Sequence, residues 1–344
     1  MTSIVRAVDV GFGNTKFVTR VTDAGVECDH FPSLAYPSVR EASADALGGR
    51  RRTIAIPIEG LFYEVGPEIH LAADAFRPNH FHDKFIESPT YLALLRAALY
   101  YMKVETIDLL VVGLPVAAFL ARKAALERLA CGEHDLGGGR KVVVKKALAV
   151  AQPQGAPVHY AASTGRLREL QDEQSLVIDV GARTFDWLAT RGLRLISKKC
   201  HSVNRGVFDV LQALAQQISV DIGTEYRDLD AIDAAIRKRK PLSICQHPYP
   251  LDKLERISTG IAEQAVSAMQ QSVGDLTGFH HIVLAGGGAF LFRKVLRKAL
   301  AKYRIHELTE PMYANVRGFQ LAGQDRMAPM QGKAAGEIEP QSGS

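Results

Sequence analysis

The sequence predicts an α/β protein built as two similar lobes around a central cleft, and three observations carry that expectation. Asp9-Val10-Gly11-Phe12-Gly13-Asn14-Thr15-Lys16 is echoed half a chain later by Asp179-Val180-Gly181-Ala182-Arg183-Thr184-Phe185-Asp186, each after a β-branched apolar run, Ser3–Val8 and Leu176–Ile178. Strand patterns alternate with helical ones through both halves, as they do in layered α/β folds. The chain, at 344 residues, is long enough for two domains with a substantial core.

Taken in order, Ile4–Val10 reads as a buried strand and Lys16–Val21 as the second arm of a hairpin around the first glycine turn. From about Phe31 to Pro89 the pattern turns irregular and rich in Pro, Gly and His. Short strands at Thr53–Ile58 and Leu61–Val65 mark it as an inserted subdomain. Tyr91–Tyr101 is helical in character and Ile107–Val112 is a near-continuous apolar strand. Pro115 is placed to open a helix reaching about Ala130, and Val142–Val150 supplies a further strand.

The second half restarts with a helix over Ala161–Leu170, then the strand Leu176–Val180 and its hairpin partner Phe185–Ala189. Helices are expected over Val207–Ile218, Ala231–Lys238 and Leu254–Val273, the last with apolar residues at Ile257, Ile261, Ala265 and Ala268. His281–Ala285 is a strand ending in Gly286-Gly287-Gly288, followed by a basic amphipathic helix over Ala289–Tyr303. The expected division is 1–152 for the first lobe, with an insert at about 31–90, and 153–312 for the second, with a helical insert at about 206–270. Residues 313–330 return to the first lobe. Residues 331–344 lack aromatic and strong apolar side chains and read as a disordered tail.

Composition narrows the class. The apolar fraction is 47% and the charged fraction 23%, as in soluble globular proteins. No run approaches the roughly 18 apolar residues of a membrane span, and the N-terminus lacks the layout of a signal peptide, so no membrane partner is expected. Cys28, Cys131, Cys200 and Cys245 are scattered without a Cys-x-x-Cys pair, which argues against a disulfide framework or zinc site and fits the cytoplasm. The net charge of +5 is mild. Arg50-Arg51-Arg52 and Arg237-Lys238-Arg239-Lys240 read as a solvated loop and a solvated helix end rather than a nucleic-acid surface, since no aromatic residues are interleaved. His80-Phe81-His82-Asp83 has no third ligand at helical spacing and reads as a surface loop.

A carboxylate ending a strand before a glycine turn suits a nucleoside triphosphate. Glycines let the backbone approach phosphate oxygens, and a Thr hydroxyl and successive N–H groups donate hydrogen bonds. The carboxylate would be repelled by phosphate, so its natural role is to hold Mg²⁺ through ordered waters. Lys16, on the second arm of the hairpin, can neutralise a β- or γ-phosphate. A bare hairpin turn explains either Asp-Gly pair alone, but less well two of them with Lys16. Gly286-Gly287-Gly288 lets the chain pass close to a flat ligand at a helix N-terminus. Neither a Gly-x-x-x-x-Gly-Lys-Ser/Thr motif nor a helix-opening Gly-x-Gly-x-x-Gly is present, which argues against P-loop and Rossmann folds.

Asp9-x-Gly-x-Gly-x-x-Lys16, Asp179-x-Gly-x-x-Thr-x-Asp186 and Leu284-Ala-Gly-Gly-Gly288, in that order, resemble the phosphate-1, phosphate-2 and adenosine motifs of the actin, Hsp70 and sugar kinase superfamily. Val112-Gly-Leu-Pro115, Pro153-Gln154-Gly155-Ala156 and the short length most resemble the bacterial plasmid-segregation actins of the ParM/StbA group. The resemblance implies two actin-like (ribonuclease H-like) lobes. It also implies slow hydrolysis of ATP (or GTP), filaments of the protein itself, and plasmid DNA moved indirectly through a DNA-binding adaptor.

By motif position the resemblance makes Asp9 and Asp179 the Mg²⁺ residues. It places Gly11, Phe12, Gly13, Asn14, Thr15, Lys16, Gly181, Ala182, Arg183 and Thr184 around the phosphates, and Gly206, Gly286, Gly287 and Gly288 around the nucleoside. Gln154 falls where the family orients the attacking water; an amide positions water but is no strong base, so turnover would be slow. Phe12 stands where relatives carry a small or hydroxylated residue, and Ala182 and Arg183 replace common glycines. Arg183 either adds charge on the γ-phosphate or faces solvent. A small-molecule kinase of the same superfamily and a non-polymerising nucleotide-bound scaffold are the competing classes. A kinase needs a carboxylate base where the linking segment offers Gln154.

Overall fold

The computed structural model describes residues 3–38, 51–71, 85–166, 170, 172–192 and 194–333. Arg50, the His80-Phe81-His82-Asp83 motif and residues 334–344 of the expected tail lie outside the described residues.

Two sheets of the same plan form the two lobes. The first holds β1 (Val5–Val10), β2 (Asn14–Thr22), β3 (Gly25–Pro32), β4 (Leu109–Leu114) and β5 (Ala147–Ala151), in the order β3-β2-β1-β4-β5. The second holds β6 (Gln174–Val180), β7 (Phe185–Arg191), β8 (Arg194–Leu195), β9 (Phe279–Ala285) and β10 (Ile305–Glu307), in the order β8-β7-β6-β9-β10. In each lobe the hairpin strands pair antiparallel and the crossover strands pair parallel. Strands β4 and β6 are buried along nearly their whole length because helices cover both faces of each sheet. The duplication extends to register: Asp9 lies opposite Lys16, and Asp179 lies opposite Asp186.

The helices are α1 (Pro89–Met102), α2 (Val116–Ala130), α3 (Gly155–Thr164), α4 (Val207–Ile222), α5 (Leu229–Lys238), α6 (Glu255–Val273), α7 (Ala289–Ala299) and α8 (Ala314–Lys333). Helix α1 is a case of local chemistry setting an element. The Ser88 hydroxyl accepts from the Tyr91 amide at 3.2 Å, Pro89 occupies the first helical position, and Lys103 ends the helix in a left-handed conformation. Its Ala93, Leu94, Ala97 and Ala98 pack with Val8, Leu110 and Val112 on one face of the first sheet. On the second lobe α4, α6 and α7 cover the corresponding face through Leu211, Ala265 and Phe292.

The remaining faces are covered by exchanged helices. Helix α3 follows β5 of the first lobe, yet Ala156, Tyr160 and Ala161 pack on Val177, Leu188 and Val283 of the second. Helix α8 follows the second lobe, yet Val316 and Phe319 pack on Val5, Ala7 and Val111 of the first. The two helices meet backbone to backbone. A Cβ on Gly318 would sit 1.8 Å from the Gly155 carbonyl oxygen, and one on Gly155 would sit 2.2 Å from that of Asn315.

Several elements differ from the sequence reading. The single strand expected over Val142–Val150 is two: Lys141–Val144 joins a small sheet with Gly132–Asp135 and Thr106–Ile107, and Ala147–Ala151 is β5. The charged pair Lys145-Lys146 marks the break. The helix expected over Ala161–Leu170 begins at Gly155 and stops at Thr164, before a left-handed Gly165. Gly155 and Pro157 sit in the first turn, where they disrupt nothing. Strand β3 carries the first sheet to the edge of the expected insert. Within that insert Tyr36–Ser38, Ile54–Ile58 and Leu61–Val65 form a separate sheet with Leu61–Val65 in the middle. Helix α8 includes residues 331–333, the start of the expected tail, and the basic helix ends at Ala299 rather than Tyr303. No helix among the described residues is long and apolar enough to cross a membrane.

Gly318→Ala is expected to force α3 and α8 apart at a cost of about 1–3 kcal/mol, with a measurable fall in melting temperature. Gly260→Ala, in α6 with open space around it, is expected to be neutral or stabilising by up to about 1 kcal/mol. Calorimetry of the two variants beside the parent checks both signs.

Candidate functional site

Both glycine turns close by the same bond, from the amide of the first glycine to the carbonyl three residues on: Gly11 to Asn14 at 3.1 Å and Gly181 to Thr184 at 2.9 Å. In the second loop the other three carbonyls are also taken, by the N-terminus of α4. The amides of Val207, Phe208 and Gly206 donate to Gly181, Ala182 and Arg183 at 3.2, 2.7 and 3.0 Å. With all four carbonyls engaged, the loop backbone can offer an incoming group only N–H donors. A phosphate needs that polarity. In the first loop Ser33, buried just after β3, does the same work: its hydroxyl donates to the Gly11 carbonyl at 2.7 Å and its amide to the Gly13 carbonyl at 3.0 Å.

Acidic and basic side chains converge between the loops. Lys16 Nζ donates to Asp9 Oδ2 at 2.8 Å, and Gln152 Nε2 donates to Asp9 Oδ1 at 2.7 Å and to the Val10 carbonyl at 3.3 Å. Burial opposes the Lys16 charge, but Asp9 and, more weakly, Asp179 outweigh it and hold its pKa above the ordinary lysine value. On the other lobe, Asn315 at the start of α8 donates to Asp179 Oδ2 at 2.7 Å while its own Oδ1 accepts from the Ala156 amide of α3. Burial, followed by the facing carboxylate of Asp186, pushes Asp179 up to about 6. Asp186 is also raised by burial, against hydrogen bonds from Ser202 and Thr184. Two positions are kept clear by glycine. A Cβ on Gly113 would meet Gln152 Cγ at 2.9 Å and Asp9 Oδ1 at 3.1 Å, and one on Gly286 would meet Asp179 Oδ1 at 2.3 Å.

The structure therefore brings together Asp9, Lys16, Asp179 and both glycine loops, and it turns several other expected residues to different partners. Gln154 is turned to its own backbone, its Oε1 accepting from the Ala151 amide at 3.2 Å; Gln152 reaches Asp9 instead. The segment Gln152–Gln154 is a 3₁₀ turn, so residues two apart leave it on different sides. Thr15 is fully buried with its hydroxyl on Ser33, and the Thr184 hydroxyl donates to Asp186 at 2.6 Å, so neither side chain points to a free ligand seat. Gly206 lies behind the second loop, where a Cβ would come within 2.5 Å of the Arg183 backbone. Gly288 packs on Val180 and Val207, and the Gly287 carbonyl accepts from the Arg237 guanidinium, which also lies 4.4 Å over the Phe290 ring. Arg237 stands in the last turn of α5, half-exposed and paired with Asp233 as at a solvated helix end, and from there it also reaches the third glycine loop. Phe12 reaches across to the second lobe, 6.1 Å from the Phe208 ring and 5.2 Å under the Arg183 guanidinium. Ser33, Gln152, Arg237 and Asn315 were not legible as site residues; Arg237 alone had a signal, its place in a basic cluster.

Duplicated sheets, exchanged helices and facing glycine loops with paired strand-end carboxylates define the actin fold. Residues 7–155 match the family of actin like proteins, N terminal domain, and residues 177–298 match that of the archaeal actin homologue MreB-like, C-terminal. Over both matched segments the chain is similar to actin-like proteins, and its fold is theirs. No curated protein sequence matches it. Among solved structures, Ta0583, an archaeal actin homologue, superposes with a TM-score of 0.76 at 20% identity, over 94% of this chain and 99% of that one. The apo psk41 ParM protein gives 0.72 at 16% identity over 96% and 100%. A 15-stranded ParM filament from Clostridium botulinum gives 0.73 at 17% identity over 94% and 100%.

The raised Asp179 has a consequence for stability. Its native pKa of about 6 lies above its ordinary value of 3.8, so the folded protein keeps a proton that the unfolded chain releases between those pH values. The ionised carboxylate then costs folding free energy on the order of 3 kcal/mol above pH 6 and nothing below pH 4. Asp179→Asn is expected to melt higher than the parent at pH 7.5 without nucleotide or Mg²⁺. The advantage should vanish as the pH falls through 6 to 4, as followed by calorimetry across that range.

Proposed function

We propose that the chain binds Mg²⁺–ATP between its lobes, hydrolyses it slowly and assembles into filaments that segregate plasmid DNA through a DNA-binding adaptor. The observation that carries this reading is the pair of facing glycine loops, one with all four carbonyls engaged and the other with those of Gly11, Gly13 and Asn14 engaged, flanked by Asp9, Lys16 and Asp179. The donor set fits the ion. Among the described residues no group of three or more His, Cys, Asp or Glu could hold a metal alone, whereas Mg²⁺ characteristically takes one or two carboxylates and completes its shell with water and phosphate. Asp9 and Asp179 would hold it, and when bound it would neutralise charge developing on the phosphates.

Lys16 supplies the fixed positive charge on the phosphate chain, and the loop amides fix its orientation. Gln152 takes the water-orienting role that the sequence assigned to Gln154, because its amide already lies beside Asp9. Having no proton to take up, it can only position water, which fits slow turnover. Support for nucleotide and polymer comes from relatives of the same fold: Ta0583 in complex with ADP, an AlfA filament bound to AMPPNP, and the ParM filament. Within the family the motifs favour the ParM/StbA group and, inside it, the ParM-like protein of the PRTRC plasmid system. GTP is the alternative nucleotide.

Phosphate release and pelleting with ATP, ADP or neither test the reading. ATP-dependent pelleting is expected, and its absence at high protein concentration overturns the filament. Asp179→Ala should abolish turnover while the fold persists. Gln152→Ala should slow it by roughly tenfold to a hundredfold or more with nucleotide affinity little changed. Gln154→Ala should remain within about threefold of the parent; the reverse pattern returns the role to Gln154.

A further inference from the structure

The second loop carries one cation, Arg183, whose side chain is exposed and which pairs with no carboxylate among the described residues. Its guanidinium lies instead over the ring of Phe12, which belongs to the first loop and the opposite lobe. The Phe12 ring also meets, edge to face, that of Phe208, the second residue of α4. Beneath these side chains the loops are nearly in contact: a Cβ on Gly13 would lie 2.7 Å from the Ala182 Cβ. The Arg183 backbone is pinned, because its carbonyl accepts from Gly206. Only the side chain is free to move.

We propose that Arg183 reads the terminal phosphate of a bound triphosphate. The inference rests on the nucleotide reading of the cleft and adds the residue that distinguishes triphosphate from diphosphate. Phe12 gives the guanidinium a seat on a ring face, a weak contact at an exposed site. The terminal phosphate is the group that both loops must share, and it offers the guanidinium charge-assisted, two-pronged hydrogen bonds, which are stronger. Arg183 therefore leaves Phe12 when the terminal phosphate is present and returns when it has gone. Phe12 is a competitor for the cation rather than a phosphate ligand, and the contacts of Phe12 with Arg183 and Phe208 take over part of the work of joining the lobes when no phosphate bridges them.

The test is calorimetric titration of the full-length protein and its variants with AMPPNP and with ADP, each with Mg²⁺. Arg183→Ala is expected to weaken AMPPNP roughly tenfold or more while ADP changes by less than about threefold. Arg183→Lys should fall between, since an ammonium keeps the charge but not the fork. Phe12→Ala should bind AMPPNP as tightly as the parent or more tightly. Equal losses for both nucleotides in Arg183→Ala, no loss for either, or a selective AMPPNP loss in Phe12→Ala each overturn the proposal while the nucleotide site stands. A parent protein that binds neither nucleotide overturns the site and this proposal together.

Discussion

Two buried carboxylates at the ends of duplicated strands share a single lysine, and much of the architecture serves that arrangement. Register puts Lys16 opposite Asp9 in the first lobe, but Asp186 opposite Asp179 in the second. The first lobe is thus locally neutral and the second carries two facing acids, one of them with a proton affinity well above normal. Lys16 acts on both lobes, bonding Asp9 and attracting Asp179. An isolated second lobe would keep the acids and lose that cation. The duplication is of topology, whereas the charges are complementary, and complementarity is what makes two copies one site.

The exchanged helices complete the neutralisation. Asn315 reaches Asp179 because α8 starts at the seam, and its other amide atom fixes the first turn of α3. Gln152 reaches Asp9 because the turn before α3 stands on the same seam, with Gly113 making room. The close approach of Gly155 and Gly318 therefore sets the position of polar groups from both ends of the chain as well as the packing of the lobes.

What the sequence displayed clearly was local. Each Asp-Gly turn shows its strand, its glycine and its carboxylate within eight residues, so the two-lobed plan and Asp9, Lys16 and Asp179 could be read directly. Ser33 and Asn315 have no such signature: a serine after a strand and an asparagine near a helix start are commonplace until tertiary contacts bring them to the loops. That Gln152 and not Gln154 touches Asp9 has a different origin. Both are glutamines in one short segment, and a 3₁₀ turn decides which faces Asp9, a matter of about 120° per residue that residue type does not encode. The break at Lys145-Lys146 was visible as charge but overridden by the apolar runs on either side, and the need for a bare Cα at Gly155 arises only from Asn315 and Gly318 across the crossing.

The three hydrogen bonds from the α4 N-terminus to the second loop have a mechanical meaning. They join backbone to backbone, so they do not slacken with side-chain rotation, and the helix and the loop turn as one body. Helix α4 has 16 residues, which makes it an arm about 24 Å long at roughly 1.5 Å per residue. A tilt of about 5° at the loop sweeps the far end through about 2 Å, comparable to the helix shifts that reset subunit contacts in switching proteins. The outlying helices α5 and α6, packed on that arm through Ile232 and Ala262, thereby register movements at the loop many times their size.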